Sequence, residues 1–335
     1  MSSATRRYLF VLMGALGDVV RGMYLVDSLK AADPTAHITW LVEPACAGIL
    51  KLHRSIDQIL VFNRPKGFSG ILELRRELAK RTFDVTLDLQ RHSKSGLFSW
   101  LSRAPRRIGF HKLDAKEFNW LFNTEYIAPQ GEAISKIEHY HTFLDVLGLS
   151  QPKELSSGLE YITLDTIDAP WSQELRERSY IGFILGSSWD SKDWPVEQYE
   201  QLLALLPDEL VVLLADKTKI AMAERLEQAA TKARVINLAG KTDLKQLVGV
   251  IHGARALVGP DSGPGHIAGA VGTRHITLFG PTPWVRNAPR GSEALALSAN
   301  LGCSPCKRRV CPGLGKVCMK LIRPEMVARR LQEVK

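Results

Sequence analysis

The sequence predicts an α/β protein built of two similar halves, each a Rossmann-like open parallel sheet, facing a central cleft. Three observations carry this reading. Short apolar runs alternate with longer stretches of helical periodicity. Glycine-containing turns close several of the apolar runs. The alternation lapses over residues 148–179, which shift towards Ser, Pro, Asp and Glu, and then begins again. A chain of 335 residues is long enough for two domains, and the expected division is 1–160 and 161–335.

Residues 8–13 form the first apolar run, followed by Gly14-Ala15-Leu16-Gly17-Asp18 and a helical pattern over 19–32. Strand, glycine turn and helix in that order open a doubly wound sheet. The turn lacks the G-x-G-x-x-G spacing, which argues against a nicotinamide dehydrogenase. Further strands are expected at 37–42, 58–62, 85–89 and 107–110, with helices at 69–81 and 93–102. Ligands of such sheets lie at the carboxyl ends of strands, which places Asp18, Arg91 and Lys94 where a ligand would be met. Between Leu89 and Leu113 there are six Lys or Arg residues and no acid. Arg103, Arg106 and Arg107 in this run read as surface charge. A helix over 134–147 carries His139 and His141, whose spacing puts them on different faces and speaks against a metal pair.

Residues 148–179 read as the domain connection, with one strand at 159–163. The second half starts with a strand at 180–185, ended by Gly186-Ser187-Ser188 and followed by Lys192 and Trp194-Pro195. Pro195 suits the first turn of a helix ending at 206. Strands at 210–215 and 234–238 flank a helix at 220–231, and Thr242 or Asp243 caps the next helix. The most telling stretch is the apolar run 254–258 followed by Gly259-Pro260-Asp261-Ser262-Gly263-Pro264-Gly265-His266 and an Ala/Gly-rich helix. Its glycines admit close backbone approach, and a helix N-terminus there offers amide N–H groups to a phosphate. The plainer alternative is an ordinary turn with Asp261 or Ser262 as helix cap. A last strand at 274–279 precedes the rigid loop Gly280-Pro281-Thr282-Pro283-Trp284, and a helix over 324–334 closes the chain.

The formal charge of +9 and a pI near 9.3 point to an anionic partner. No apolar run is long enough to span a bilayer, and glycines and Asp18 interrupt the N-terminal apolar stretch, so a cytoplasmic location is expected. Four of the five cysteines crowd into Cys303-x2-Cys306-x4-Cys311-x6-Cys318, a candidate structural zinc site or a set of reduced thiols.

Taken together, five motifs resemble glycosyltransferase family 9, the heptosyltransferases, over nearly the whole chain. They are Gly14-Ala15-Leu16-Gly17-Asp18; Ser187-Ser188 with Lys192-Asp193-Trp194-Pro195; Asn237-Leu238-Ala239-Gly240-Lys241-Thr242; residues 259–266; and Leu278-Phe279-Gly280-Pro281-Thr282. The cysteine segment is similar to that of members called heptosyltransferase II. The resemblance implies a GT-B fold, with the acceptor on the first domain and the nucleotide-sugar on the second. It implies inverting transfer of heptose from ADP-L-glycero-D-manno-heptose to the lipopolysaccharide inner core, with no metal or other cofactor required. Asp18 would be the general base and Lys192 would neutralise the departing diphosphate. On the donor side it implies Ser187, Ser188, Thr242, Asp261, Ser262, Gly263 and His266. Gly17, Arg91 and Lys94 would serve the acceptor. Asp216 stands where some members carry a ribose-binding glutamate. The partners implied are the donor, the core acceptor and the inner face of the cytoplasmic membrane, held peripherally.

Two other readings compete: a family 9 transferase using a different nucleotide-sugar, and a non-catalytic basic protein binding metal or nucleic acid. The basic residues are not interleaved with an aromatic platform, which disfavours nucleic acid. The oligomeric state is not encoded in any of these patterns.

Overall fold

The computed structural model describes residues 5–313 and 315–334. They fall into two compact units, one running to Gly158 and the other starting at Leu159. The first unit contains β1 (Arg7–Val11), α1 (Leu16–Ala32), β2 (His37–Val42), α2 (Pro44–Leu50), β3 (Gln58–Val61), α3 (Gly67–Ala79), β4 (Val85–Asp88), α4 (Ser93–Leu101), β5 (Arg106–Gly109), β6 (Glu125–Tyr126) and α5 (Lys136–Leu147). Every strand pairing is parallel, and the order across the sheet is β3-β2-β1-β4-β5-β6.

The central strand β1 is apolar without alternation because both of its faces are covered: Tyr8, Leu9, Phe10 and Val11 are all fully buried. On one face Leu9 and Val11 pack with Leu74 and Leu78 of α3 and Phe98 of α4. On the other, α1 meets α5, where Ser28 Oγ lies 2.8 Å from His141 Nε2 and His141 Nδ1 lies 2.8 Å from the Ile137 carbonyl. The α5 start is fixed by a reciprocal cap between Ser135 and Glu138, and it ends at Gly148 in the left-handed region.

The second unit contains α6 (Ser172–Glu177), β7 (Ile181–Ile184), α7 (Val196–Ala204), β8 (Leu210–Leu214), α8 (Ile220–Ala229), β9 (Arg234–Asn237), α9 (Leu244–Gly253), β10 (Ala256–Pro260), α10 (Gly263–Ala270), β11 (Arg274–Phe279), α11 (Trp284–Asn287), β12 (Leu297–Ser298), α12 (Val317–Lys320) and α13 (Pro324–Gln332). Its sheet is again all parallel, in the order β12-β11-β10-β7-β8-β9. Numbered from its own first strand, this is the topology of the first unit repeated, and it is the doubly wound order of dinucleotide-type folds.

The structure departs from the sequence reading in places. Residues 159–163 are a turn, not a strand, because their backbone serves α9: the Ile162 carbonyl lies 2.7 Å from His252 Nδ1, and the following 3-10 turn, Leu164–Thr166, packs on the same helix. Asp243, not Thr242, caps α9, because its carboxylate accepts the Gln246 amide while the Gln246 side chain returns to the Asp243 N–H. Pro195 is the residue before α7 and not its first. The two-residue edge strands β6 and β12 are too short to leave a periodic signal.

Gly259 of β10 has no room for a side chain, since a Cβ there would lie 2.7 Å from both the Cβ and the carbonyl oxygen of Ile184. Gly259→Ala is therefore expected to destabilise the protein by about 1–3 kcal/mol in urea unfolding. Gly302, which faces open space, should accept alanine within about 0.5 kcal/mol.

Candidate active site

A doubly wound sheet parts at the strand from which the connections run in opposite directions, and ligands settle at the carboxyl edge of that gap. In the first unit the gap lies between β1 and β4. The Gln90 side chain bridges it: its Oε1 accepts the Met13 amide at 2.9 Å and its Nε2 donates to the Gly14 carbonyl at 3.3 Å. α1 begins immediately after, with Ala15 in the cap position and without a capping side chain. Asp18 is thus not the helix cap; it is the third residue of α1, and its amide donates to the Ala15 carbonyl. Its Oδ1 accepts from Arg21 Nη2 at 2.5 Å and from Lys136 Nζ at 2.6 Å. Arg21 is buried and also donates to the Gly17 carbonyl, while Lys136 arrives on the first turn of α5. The Asp18 side chain remains 26% exposed, so it is fixed between two cations yet open to a ligand.

Glu43, whose amide donates to the Met13 carbonyl, belongs to the same edge. Lys94 Nζ pairs with Glu43 Oε1 at 3.2 Å and stands 5.2 Å from the Phe62 ring centroid. Arg91 has a left-handed backbone, φ 72°, and its Nε donates to the Asp114 carbonyl while the guanidinium covers Phe110. The structure therefore gives Arg91 a contact with the loop after β5 that leaves its charge without a carboxylate partner, while Lys94 is paired with Glu43.

In the second unit the gap lies between β7 and β10, and a buried charge cluster fills it. Lys192, at the end of the 3-10 turn Asp190–Lys192, donates from Nζ to Asp261 Oδ2 at 2.9 Å and to the Asp261 carbonyl at 3.2 Å, with the Trp189 ring 4.6 Å away. Thr282 Oγ1 donates to the same carboxylate oxygen at 2.8 Å, and His266 Nε2 lies 3.6 Å from the other. Burial opposes the charge on Asp261, but the His266 hydrogen bond and the Lys192 ammonium outweigh it and hold the carboxyl well below the usual carboxylate range. Behind this cluster His275 is fully buried against Gly265, whose missing Cβ makes the space. Burial first, then the neighbouring His266, pushes its pKa down to about 3.

Ser262 occupies the cap position of α10 but its side chain caps nothing, and its buried Oγ has no hydrogen-bond partner among the described residues. With Gly263 it leaves the first amides of α10 available to an anion. Ser187 is held by Asp193, which accepts its amide at 2.8 Å, and Asp193 Oδ2 in turn accepts from Lys219 at 2.6 Å; Ser188 is exposed beside it. Asp216 caps the turn Lys217–Lys219 by accepting from the amide and hydroxyl of Thr218, which engages it locally. Thr242 lies half-buried in the turn before α9.

Residues beyond β12 brace this site. Ser191 receives its backbone partner from the Arg309 carbonyl and donates its hydroxyl to the Arg308 carbonyl; Trp194 donates to Ile322, and the Lys307 amide donates to Pro281. The four cysteines lie in or next to this brace. Cys303 and Cys306 are exposed, and Cys311 and Cys318 are half-buried. Among the described residues no group of three or more His, Cys, Asp or Glu side chains stands as a ready-made metal-ligand set, although Cys303, Cys306 and Cys311 lie near enough to Cys318 to add to the effect of burial in raising its thiol pKa. Sequence reading missed Thr282, Asp193 and Lys219 as site residues, although the first two stand inside quoted motifs. Arg21 and Lys136 left no local signal, Lys136 being 118 residues from its partner.

Two measurements check these environments. His275 is held neutral, so the unfolded chain binds a proton that the folded chain refuses. Stability should therefore be complete above about pH 6.5 and fall as pH drops, by up to about 1.4 kcal/mol per pH unit. Asp261, being depressed, loses its contribution in the same direction at lower pH. Urea titrations of His275→Asn should show a shallower decline between about pH 6.5 and pH 4 than the parent. In native alkylation, Cys303 and Cys306 should react and Cys46 should not, because burial, aided by Glu43 and Asp18, pushes the Cys46 thiol up to about 11.

Residues 71–316 match glycosyltransferase family 9 (heptosyltransferase). The chain is 26% identical over 298 residues to the lipopolysaccharide core heptosyltransferase OpsX of Haemophilus influenzae, covering 86% of this chain and 83% of that one. Its fold is similar to that of the E. coli heptosyltransferase WaaC solved with ADP (TM-score 0.78, 22% identity, 98% of this chain and 100% of that chain). It is also similar to that of E. coli ADP-heptose lps heptosyltransferase II (TM-score 0.72, 22% identity, 98% of each chain). Both units have the GT-B type of sheet, the match covers most of the chain, and the chain therefore belongs to glycosyltransferase family 9 and is a glycosyltransferase.

Proposed function

We propose that this protein transfers a heptose from ADP-L-glycero-D-manno-heptose to the inner core of lipopolysaccharide, inverting the anomeric centre without a metal or other cofactor. The observation that carries the reading is the cluster Lys192–Asp261–Thr282 beside the open N-terminus of α10, which suits a sugar diphosphate. The relatives named for heptose transfer and the ADP held by WaaC support the choice of donor.

The first unit takes the acceptor, with Lys94, Arg91 and the Gly17 turn beside it. The second takes the donor. Asp18, steadied by Arg21 and Lys136, accepts the proton as the acceptor O–H bond breaks. The freed oxygen electron pair bonds to the anomeric carbon from the face opposite the diphosphate. The C–O bond to the phosphate breaks and its electrons leave with ADP. Lys192, Ser187, Ser188, Ser262 and the Gly263 amide receive the developing negative charge. Asp261 and His266 hold the sugar hydroxyls and the phosphate side, with Asp216 and Thr242 towards the nucleoside. Among the described residues no helix is long and apolar enough to cross a membrane; the enzyme works in the cytoplasm, peripherally at the inner membrane face where the acceptor is anchored, and takes no nucleic acid.

Transfer from ADP-heptose to a heptose-deficient core tests this. Asp18→Ala should lose about a hundredfold or more in kcat, and Lys192→Ala about a hundred- to a thousandfold. Full activity in Asp18→Ala would remove the base assignment. No transfer by folded parent enzyme from ADP-heptose, with transfer from another nucleotide-sugar, would replace the donor.

A further inference from the structure

From the basic run that the catalytic reading leaves unused, Arg103 and Arg107 lie on one face of the first unit. α3 and α4 run side by side there, over a shared core of Leu74, Leu78 and Phe98. Between them opens a cavity of about 300 Å³ lined by Arg75, Trp100, Leu101, Arg103 and Arg107. No acidic side chain lines it. Neither the Arg75 nor the Arg103 guanidinium has a hydrogen bond or ion pair among the described residues, whereas Arg106 is spent elsewhere, on Glu125 at 2.7 Å and on the Val146 carbonyl at the end of α5. Arg107 is spent only on the backbone carbonyls of Ala104 and Phe122, so it keeps its charge uncompensated.

The same face exposes large apolar side chains. Phe68 at the start of α3 is 74% exposed, Trp100 55%, Phe118 68% and Leu121 60%. Phe118 and Leu121 sit beside α4, because the Phe118 amide donates to Ser93 Oγ and the turn Asn119–Phe122 packs on Gly96. Phe68 and Arg75 are seven residues apart and share one side of α3. Among the described residues α1, α2 and α5 themselves expose no comparable apolar side chain; Leu113, 73% exposed, stands apart in the loop after β5.

Unpaired arginines alone would suit any polyanion. Arginines around a tryptophan, with phenylalanine and leucine standing out beside them, suit the boundary between lipid headgroups and acyl chains. The bases of a nucleic acid can stack on Trp100 or Phe68 but offer nothing to the aliphatic Leu121, whereas acyl chains receive all three. We infer that the α3–α4 face of the first unit is a docking surface for an anionic lipid bilayer, with Arg75, Arg103 and Arg107 on headgroup phosphates and Trp100 and Phe68 in the interface. This rests on the proposed function only in that a membrane-anchored acceptor makes such docking useful.

The test is co-sedimentation of the full-length protein with equimolar phosphatidylglycerol–phosphatidylcholine vesicles and with phosphatidylcholine vesicles alone. The parent should bind the anionic vesicles, more weakly as salt rises, and the neutral ones poorly. Each arginine near such a surface contributes about fivefold, so Arg75→Gln/Arg103→Gln should bind roughly twentyfold more weakly. Trp100→Ser and Phe68→Ser should also weaken binding while leaving the salt dependence intact. All four positions are exposed, and an unchanged Tm with unchanged transfer to a deacylated, water-soluble core shows that a variant is folded. Variants that bind like the parent, equal binding to neutral vesicles, or inorganic phosphate displacing the protein at millimolar levels would overturn the inference. Tighter retention by RNA than by anionic vesicles would do the same. Failure of the parent to transfer heptose to the soluble core would count against the proposed function and leave the vesicle result to be judged by itself.

Discussion

The constraint on which the rest depends is the reversal of winding at the first strand of each unit. β1 lies between β2 and β4, and β7 lies between β8 and β10. Right-handed crossovers in a parallel sheet oblige the connections to leave those strands on opposite faces, which leaves a gap at the carboxyl edge that no helix covers. Asp18 and Gln90 come from the two sides of the first gap, Lys192 and Asp261 from the two sides of the second. The side chains that meet there are therefore placed by topology before any of them is chosen, and the same topology is used twice.

The two gaps are furnished differently, and the difference is electrostatic. In the second, the carboxylate of Asp261 is buried and survives as an anion only because Lys192, Thr282 and His266 converge on it. A buried charge so fully partnered is rigid, since moving any partner exposes the others to an apolar surrounding. In the first, Asp18 keeps access to solvent although two cations flank it. The two carboxylates therefore differ in access: Asp18 can be reached from solvent, whereas Asp261 is enclosed by its partners.

Much of this was legible in the sequence. The apolar runs at β1, β7 and β10 are buried on both sides, so they show as unbroken hydrophobic segments, and the glycine turns after them mark the ligand edge. Asp18 and Asp261 stand in those turns, where position marks them as facing a ligand edge, while Lys192 is singled out only by the family resemblance. What escaped is non-local. Lys136 reaches Asp18 because α5 packs on α1, and no pattern near either residue records that contact. Asp216 and Thr242 follow strands, where ligands of such sheets lie; in the structure Asp216 accepts from Thr218, and Asp243 takes the helix start beside Thr242. Cysteine spacing was similarly ambiguous, since the exposure of Cys303 and Cys306 depends on how the segment lies over Gly280–Thr282 and not on the spacing itself.

That segment has a consequence for how the enzyme comes into being. The loop bearing Lys192 is tied to Arg308, Arg309 and Ile322, and Ser191 is separated from Arg308 by 117 residues. A chain emerging from the ribosome makes the loop long before it makes what holds it. The core of the second sheet can form while the loop bearing Lys192 is still untethered, so the Lys192–Asp261 pair is held in place only once the segment that braces it has folded. Proteases that nick the exposed stretch around Cys303 and Cys306 would return a finished molecule to the same half-assembled condition.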